Sequence, residues 1–267
     1  MPLLNFKGGS IHYKVSGIGK SIVLIHGFLG SEAIFHDTAA ALSTHFRVIV
    51  PDLPGHGKSG NFGYLHTMEL MAQSIKAIVD ELNIHKVFLT GHSMGGYVAL
   101  AFTENYPQLV EGICLLNSVP FADSDKKKTE RTRAINAVKS NHNIYIKGAI
   151  LQLFSKEHLK QNKKEFQRVV NIAAKTKKRG IIAAMEGMIK REDRRKLLAG
   201  IRQKSFAITG RHDTVFANDL IKDLQQIIKK ENYYLLENSG HMSMLEESEK
   251  TIQILKSIIV KVTKKSI

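Results

Sequence analysis

One cysteine in 267 residues excludes any disulfide within the chain and fits a reducing compartment. That residue, Cys114, lies in the apolar run "GICLLN" and reads as a small buried hydrophobe. No apolar run reaches membrane-spanning length. The start, "MPLLNFKGGSIHYKV", alternates like a strand pair turned at "KGGS", with no apolar core or small-residue cleavage site of a secretory signal. A cytoplasmic protein is expected. No His, Asp and Glu set has ligand spacing such as H-E-x-x-H, so no metal is expected, nor any other cofactor. Internal repeats and low-complexity linkers are also missing.

Acidic residues are scarce, 24 against 39 lysines and arginines, for a net charge of +15. The imbalance is local. Residues 122–200 carry 21 basic against 8 acidic side chains, so a net +13 sits in that segment and the remainder is close to neutral. No nucleic-acid motif accompanies the charge, and basic helices without interleaved aromatics read as solvated faces. Neither nucleic acid nor membrane is an expected partner.

What is present is a rhythm. After the N-terminal strand pair come "SIVLIHGFLGS" and "FRVIVPDLPGHGKSG", each a buried strand ended by glycine or proline. Met68, Met71, Ile75, Val79 and Leu82 recur at helical spacing. A strand at "KVFL", a helix from "YVALAF" and a strand at "GICLLN" follow. The alternation stops near Phe121 and resumes with "SFAIT", "ANDLIKDLQQIIKK", "NYYLL" and a helix from about Ser248. Strands alternating with helices predict an α/β fold, a mostly parallel sheet covered by helices on both faces. Residues 1–121 and 201–267 would form this core, with 122–200 inserted as a helical lid carrying two apolar patches, "NIYIKGAILQLF" and "RGIIAAMEGMI".

The stretch "TGHSMGG" places Ser93 among glycines between the "KVFL" strand and the next helix. It lacks the spacing of a glycine-rich phosphate loop, and its strand–turn–helix setting is that of a nucleophile elbow. A serine hydroxyl is a poor nucleophile at neutral pH and needs a base oriented by an acid. Loops at the C-terminal ends of later strands supply both. Asp213 follows "SFAITG" and His241 follows "NYYLLENSG". The other position for an acid, after "GICLLN", is the uncharged Asn117. Backbone N–H donors for a developing oxyanion are expected at Met94, just after Ser93, and at Phe28, after the first parallel strand. His26 and His56 read as loop braces, and His92 as pointing away from Ser93.

Together "HGFLGS", "PDLPGHGKS", "GHSMGG", "REDRRKLLAGI…SFAITGRHD" and "SGHMSMLEE" resemble the α/β-hydrolase superfamily, in particular its small esterases, enol-lactonases and carbon–carbon bond hydrolases. The resemblance covers nearly the whole chain, reaching the lid only in its last part. It implies the same triad, Ser93, Asp213 and His241, and the same oxyanion donors, Phe28 and Met94. Ser93 stands where the haloalkane dehalogenases and most epoxide hydrolases of this fold have aspartate. Met94-Gly95-Gly96 departs from the "GxSWGS" of proline iminopeptidases. Tyr97 replaces the arginine usual in the menaquinone-pathway enzyme that eliminates pyruvate.

The leading expectation is a serine hydrolase that cleaves a carboxylic ester or thioester through an acyl-enzyme. The alternatives are a lyase or carbon–carbon hydrolase using the same triad, and a non-catalytic ligand-binding protein on the same fold. The expected partner is a small acyl ester, anionic or carrier-bound if the basic lid steers its approach. Oligomeric state is not legible in the sequence.

Overall fold

The computed structural model describes residues 3–201 and 204–263. Strand β1 (Leu3–Phe6) turns at Lys7-Gly8, both with positive φ, into antiparallel β2 (Gly9–Ser16). Six further strands follow: β3 (Ser21–Ile25), β4 (Arg47–Pro51), β5 (Val87–His92), β6 (Val110–Leu116), β7 (Ser205–Gly210) and β8 (Tyr233–Leu236). The eight form one sheet in the order β1-β2-β4-β3-β5-β6-β7-β8. β2 also meets β4 antiparallel, and every pair from β4 to β8 is parallel. β3, β5 and β7 are buried at every residue. Strands covered on both faces have no solvent side to require alternation, so their sequences are apolar runs.

The helices that cover the sheet are α1 (His36–Leu42), α2 (Met68–Glu81), α3 (Met94–Asn105) and, near the C-terminus, α9 (Asn218–Ile227), α10 (Ser243–Glu246) and α11 (Ser248–Thr263). α2 packs on α3 and α1 on α11. The sequence pattern does not reveal α1. With seven residues and only Thr38 and Leu42 buried, it is too short for an apolar periodicity.

Between β6 and β7 lie α4 (Asp125–Leu151), α5 (Lys156–Gln161), α6 (Lys163–Ala173), α7 (Lys178–Ile189) and α8 (Arg195–Gly200). α4 bends at Asn141, whose φ of −148° and ψ of 95° leave the helical region. The Asn141 side-chain oxygen accepts the Ile144 amide at 3.1 Å and so caps the second half. α4 packs on both α6 and α7. α7 lies close on the core, with the His66 amide donating to the Ala183 carbonyl at 3.0 Å. A Cβ at Gly187 would strike the His66 carbonyl, which explains glycine on that helix face. The segment's exit is tied to its entrance. The Arg194 amide donates to the Pro120 carbonyl at 2.8 Å, and its buried guanidinium pairs with Glu69 of α2 and Glu104 of α3 at 2.6 and 2.9 Å. Among the described residues no helix is long and apolar enough to cross a membrane.

Candidate active site

Ser93 occupies the single residue between β5 and α3, with φ 50° and ψ −117°. A non-glycine residue in such a conformation costs on the order of 1–3 kcal/mol and persists only where its surroundings hold it. Here the Ser93 amide donates to the Leu116 carbonyl at 3.0 Å. Its own carbonyl accepts the Gly96 amide at 2.9 Å and the Ser118 hydroxyl at 2.7 Å. The turn is closed by backbones in direct contact. A Cβ at Gly95 would lie 2.2 Å from the Ile25 carbonyl oxygen, and one at Gly91 would lie 2.3 Å from the Gly95 oxygen. Gly95→Ala should therefore destabilise the fold by roughly 3 kcal/mol or more, since a strand backbone cannot step aside as a side chain would. Urea denaturation measures this, and an unchanged midpoint would contradict the packing described.

Asp213 and His241 leave β7 and β8 on adjacent loops. His241 Nδ1 lies 2.8 Å from Asp213 Oδ2, with both side chains almost wholly buried. The same carboxylate accepts the Asn117 amide group at 3.0 Å on Oδ2 and the Val215 backbone amide at 2.9 Å on Oδ1. Burial alone would raise the Asp213 pKa. The facing His241 and these hydrogen bonds outweigh it and hold the carboxyl below its ordinary value. An ionised acid that accepts from Nδ1–H leaves Nε2 of His241 free to take a proton.

The His241 loop is held from several sides. Glu246 Oε1 accepts the amides of Gly240 at 3.0 Å and Met242 at 3.1 Å, and Oε2 accepts the amide of Ser155 at 2.9 Å. The His241 amide donates to the Leu153 carbonyl at 2.8 Å.

The loop after β3 passes against Ser93, since a Cβ at Gly27 would lie 3.1 Å from the Cβ of that serine. A turn closes from the Gly30 amide to the Gly27 carbonyl at 3.0 Å, with Leu29 at φ 62°. Neither the Phe28 nor the Met94 amide enters the turn and loop hydrogen bonds of the described residues. Ser93, His241 and Phe28 line one cavity of about 540 Å³, to which the inserted segment contributes Ala149, Ile150, Leu153 and Met188. Among the described residues no group of three or more His, Cys, Asp or Glu side chains is placed to hold a metal ion.

Residues 20–248 match the family described as the alpha/beta hydrolase fold. The chain belongs to that family. An uncharacterized protein of Mycobacterium tuberculosis is 33% identical over 122 residues, which are 44% of this chain and 35% of that one. The match thus spans about a third of that relative's length. The pimeloyl-[acyl-carrier protein] methyl ester esterase of Vibrio cholerae is 26% identical over 255 residues, covering 92% of this chain and 96% of its own. Among solved structures, a thermophilic esterase from Thermogutta terrifontis, with malate bound, matches at a TM-score of 0.91 and 26% identity over 97% of each chain.

Within this alpha/beta hydrolase fold two further residues meet the site. Asn117, uncharged, has φ 45°, is fully buried, and spends its amide group on Asp213 and on the Gly240 carbonyl. His92 does not point away from the site. It lines the Ser93 cavity, its Nε2 donates to the His241 carbonyl at 2.9 Å, and the two rings lie 5.0 Å apart. The glycine at position 27 leaves the room into which the His92 ring fits. His26 braces the β3 loop by a 2.8 Å hydrogen bond to the Gly27 carbonyl and by accepting the Leu53 amide at 3.0 Å.

Burial, reinforced by neighbouring histidines, pushes both His56 and His92 from 6.5 down to about 3. The unfolded chain restores the ordinary value, so each site takes up a proton on unfolding between about pH 6.5 and 3. Stability should be full above pH 6.5 and fall as pH drops, by about 1.4 kcal/mol per unit for each histidine. Unfolding free energies from urea denaturation at pH 7.5 and 5 should differ by on the order of 4 kcal/mol from these two rings. A flat profile across that interval would mean that both rings are charged or hydrated in the native state.

Proposed function

We infer that this protein is a serine hydrolase of carboxylic esters, working through an acyl-enzyme. The reading is carried by one observation: the buried 2.8 Å contact of His241 with Asp213, on a cavity that Ser93 shares. Its relatives named as esterases, from Vibrio cholerae and Thermogutta terrifontis, support an ester as the bond attacked.

In this mechanism His241 Nε2 takes the Ser93 hydroxyl proton as Oγ forms a bond to the ester carbon. Asp213 keeps Nδ1 protonated and stabilises the imidazolium. The carbonyl electron pair moves onto oxygen, where the Phe28 and Met94 amides receive it. As the carbonyl re-forms, the carbon–oxygen bond breaks and the leaving alkoxide takes the proton from His241. Water, deprotonated by the same ring, then attacks the acyl carbon; as the bond to Oγ breaks, His241 returns the proton to Ser93 and the acid is released. The inserted helices serve as the lid, their apolar side chains excluding bulk water from the acyl group.

A fluorophosphonate probe followed by peptide mapping, alongside a panel of esters of graded acyl length, tests the reading. Stoichiometric labelling at Ser93 and turnover of at least one ester are expected. A folded protein left unlabelled would be a binding protein on this fold. Labelling without turnover of any ester would direct the same triad to a carbon–carbon bond.

A further inference from the structure

One cluster in the cavity wall has no part in that mechanism. Asp123 is buried and takes two guanidinium groups, Arg131 Nε from α4 at 2.5 Å and Arg191 Nη1, just beyond α7, at 2.7 Å. Arg191 also donates to the carbonyls of Phe121 at 3.0 Å and Met188 at 3.2 Å, and its guanidinium lies over the Tyr97 ring at 4.0 Å. Tyr97, Asp123 and both arginines line the same cavity as Ser93 and His241.

The charge count is unequal. Among the described residues Asp123 is the sole carboxylate within 4.0 Å of either guanidinium, so two cations share one anion. A clamp that only fastened the lid would need one arginine, and a second buried cation without a counter-ion carries a desolvation cost. Stacking on Tyr97 offsets part of it. The cluster keeps one positive charge in excess, in a lining where Lys126 and Lys127 are matched in number by Glu130 and Asp219, and its planar guanidinium groups suit a carboxylate. Tyr97, which carries the Arg191 guanidinium, follows Ser93 by four residues, a rise of roughly 6 Å along the helix, and a short acyl chain is the one scaled to that step.

We propose that Arg131 and Arg191, held by Asp123 and Tyr97, receive the free carboxylate of an acyl group whose ester carbonyl is at Ser93. The preferred substrate is then a monoester of a short dicarboxylic acid. This rests on the ester reading of Ser93 and adds the far end of the acyl group. It differs from general attraction by the basic surface, because charges in contact inside a cavity are screened by salt much less than exposed ones.

The test compares monoethyl glutarate with ethyl pentanoate, a neutral ester of the same acyl length, through the ratio of their kcat/KM values. The wild-type ratio should exceed one and survive high salt. Arg131→Gln should lower it by roughly tenfold to a hundredfold, the loss of one charged hydrogen-bonded contact, and Arg131→Lys should recover part of it. Circular dichroism and thermal melting establish that each variant folds, and the wild-type ratio decides by itself if one does not. A wild-type ratio at or below one overturns the proposal. So does a preference that vanishes in salt, or a fall in both esters together in Arg131→Gln. No turnover of either ester by the wild type would instead remove the ester reading on which the proposal stands.

Discussion

Ser93→Ala should reduce kcat by about 10⁴-fold or more on any ester the protein turns over, with the fold retained. The size follows from the chemistry. Without Oγ no acyl-enzyme forms, and what survives is the assistance that the oxyanion donors and His241 give to direct attack by water. A loss of this size corresponds to about 5.4 kcal/mol of transition-state stabilisation. Retention of the fold follows from the hydrogen bonds. The unusual backbone at position 93 is held by contacts of its amide and carbonyl with Leu116, Gly96 and Ser118, and alanine keeps them all. Alanine is also no worse than serine at a φ of 50°. Steady-state kinetics with a parallel thermal melt checks both halves. Activity within tenfold of the wild type, in a protein of unchanged melting temperature, would place the nucleophile elsewhere.

Asp213→Asn should cost about 10⁴-fold in kcat, the magnitude seen when the triad acid of a serine protease is made an amide. The geometry here leaves the new side chain no harmless orientation. Oδ2 accepts from His241 and Asn117 while Oδ1 accepts from Val215. An NH₂ group in either place therefore faces a donor. Turned toward His241, it favours the tautomer with the proton on Nε2, which cannot accept from Ser93. Turned toward Val215, it leaves that backbone amide without an acceptor, at roughly 1–3 kcal/mol. A pH–rate profile and a melt on the same sample separate lost chemistry from lost structure. A variant with near-normal kcat would show that His241 does not need this carboxylate.

The features legible in the sequence are those written locally. The elbow shows because Gly91, Ser93 and Gly95 fall within one turn, and the order Ser93, Asp213, His241 follows from reading the ends of successive strands. Buried strands such as "SIVLI" and "SFAIT" stand out as apolar runs. Features made by distant segments stay hidden. Asn117 meets Asp213 across 96 positions, and an uncharged residue after a strand carries no mark of that partner. Asp123 and Arg191 belong to opposite ends of the inserted segment, where the sequence shows only a basic composition. His92 is concealed differently, because it alternates away from Ser93 along the chain and returns to the cavity through the bend at the elbow.

The two hydrogen bonds between the inserted segment and the His241 loop have a mechanical meaning. Leu153 holds the His241 amide, and Ser155 is held by the same Glu246 carboxylate that grips Gly240 and Met242. Residues 153–155 are thus a splint on the imidazole. Any displacement of this stretch must break hydrogen bonds to the His241 loop, so the wall of the cavity and the position of the imidazole are mechanically coupled, and neither can shift without the other.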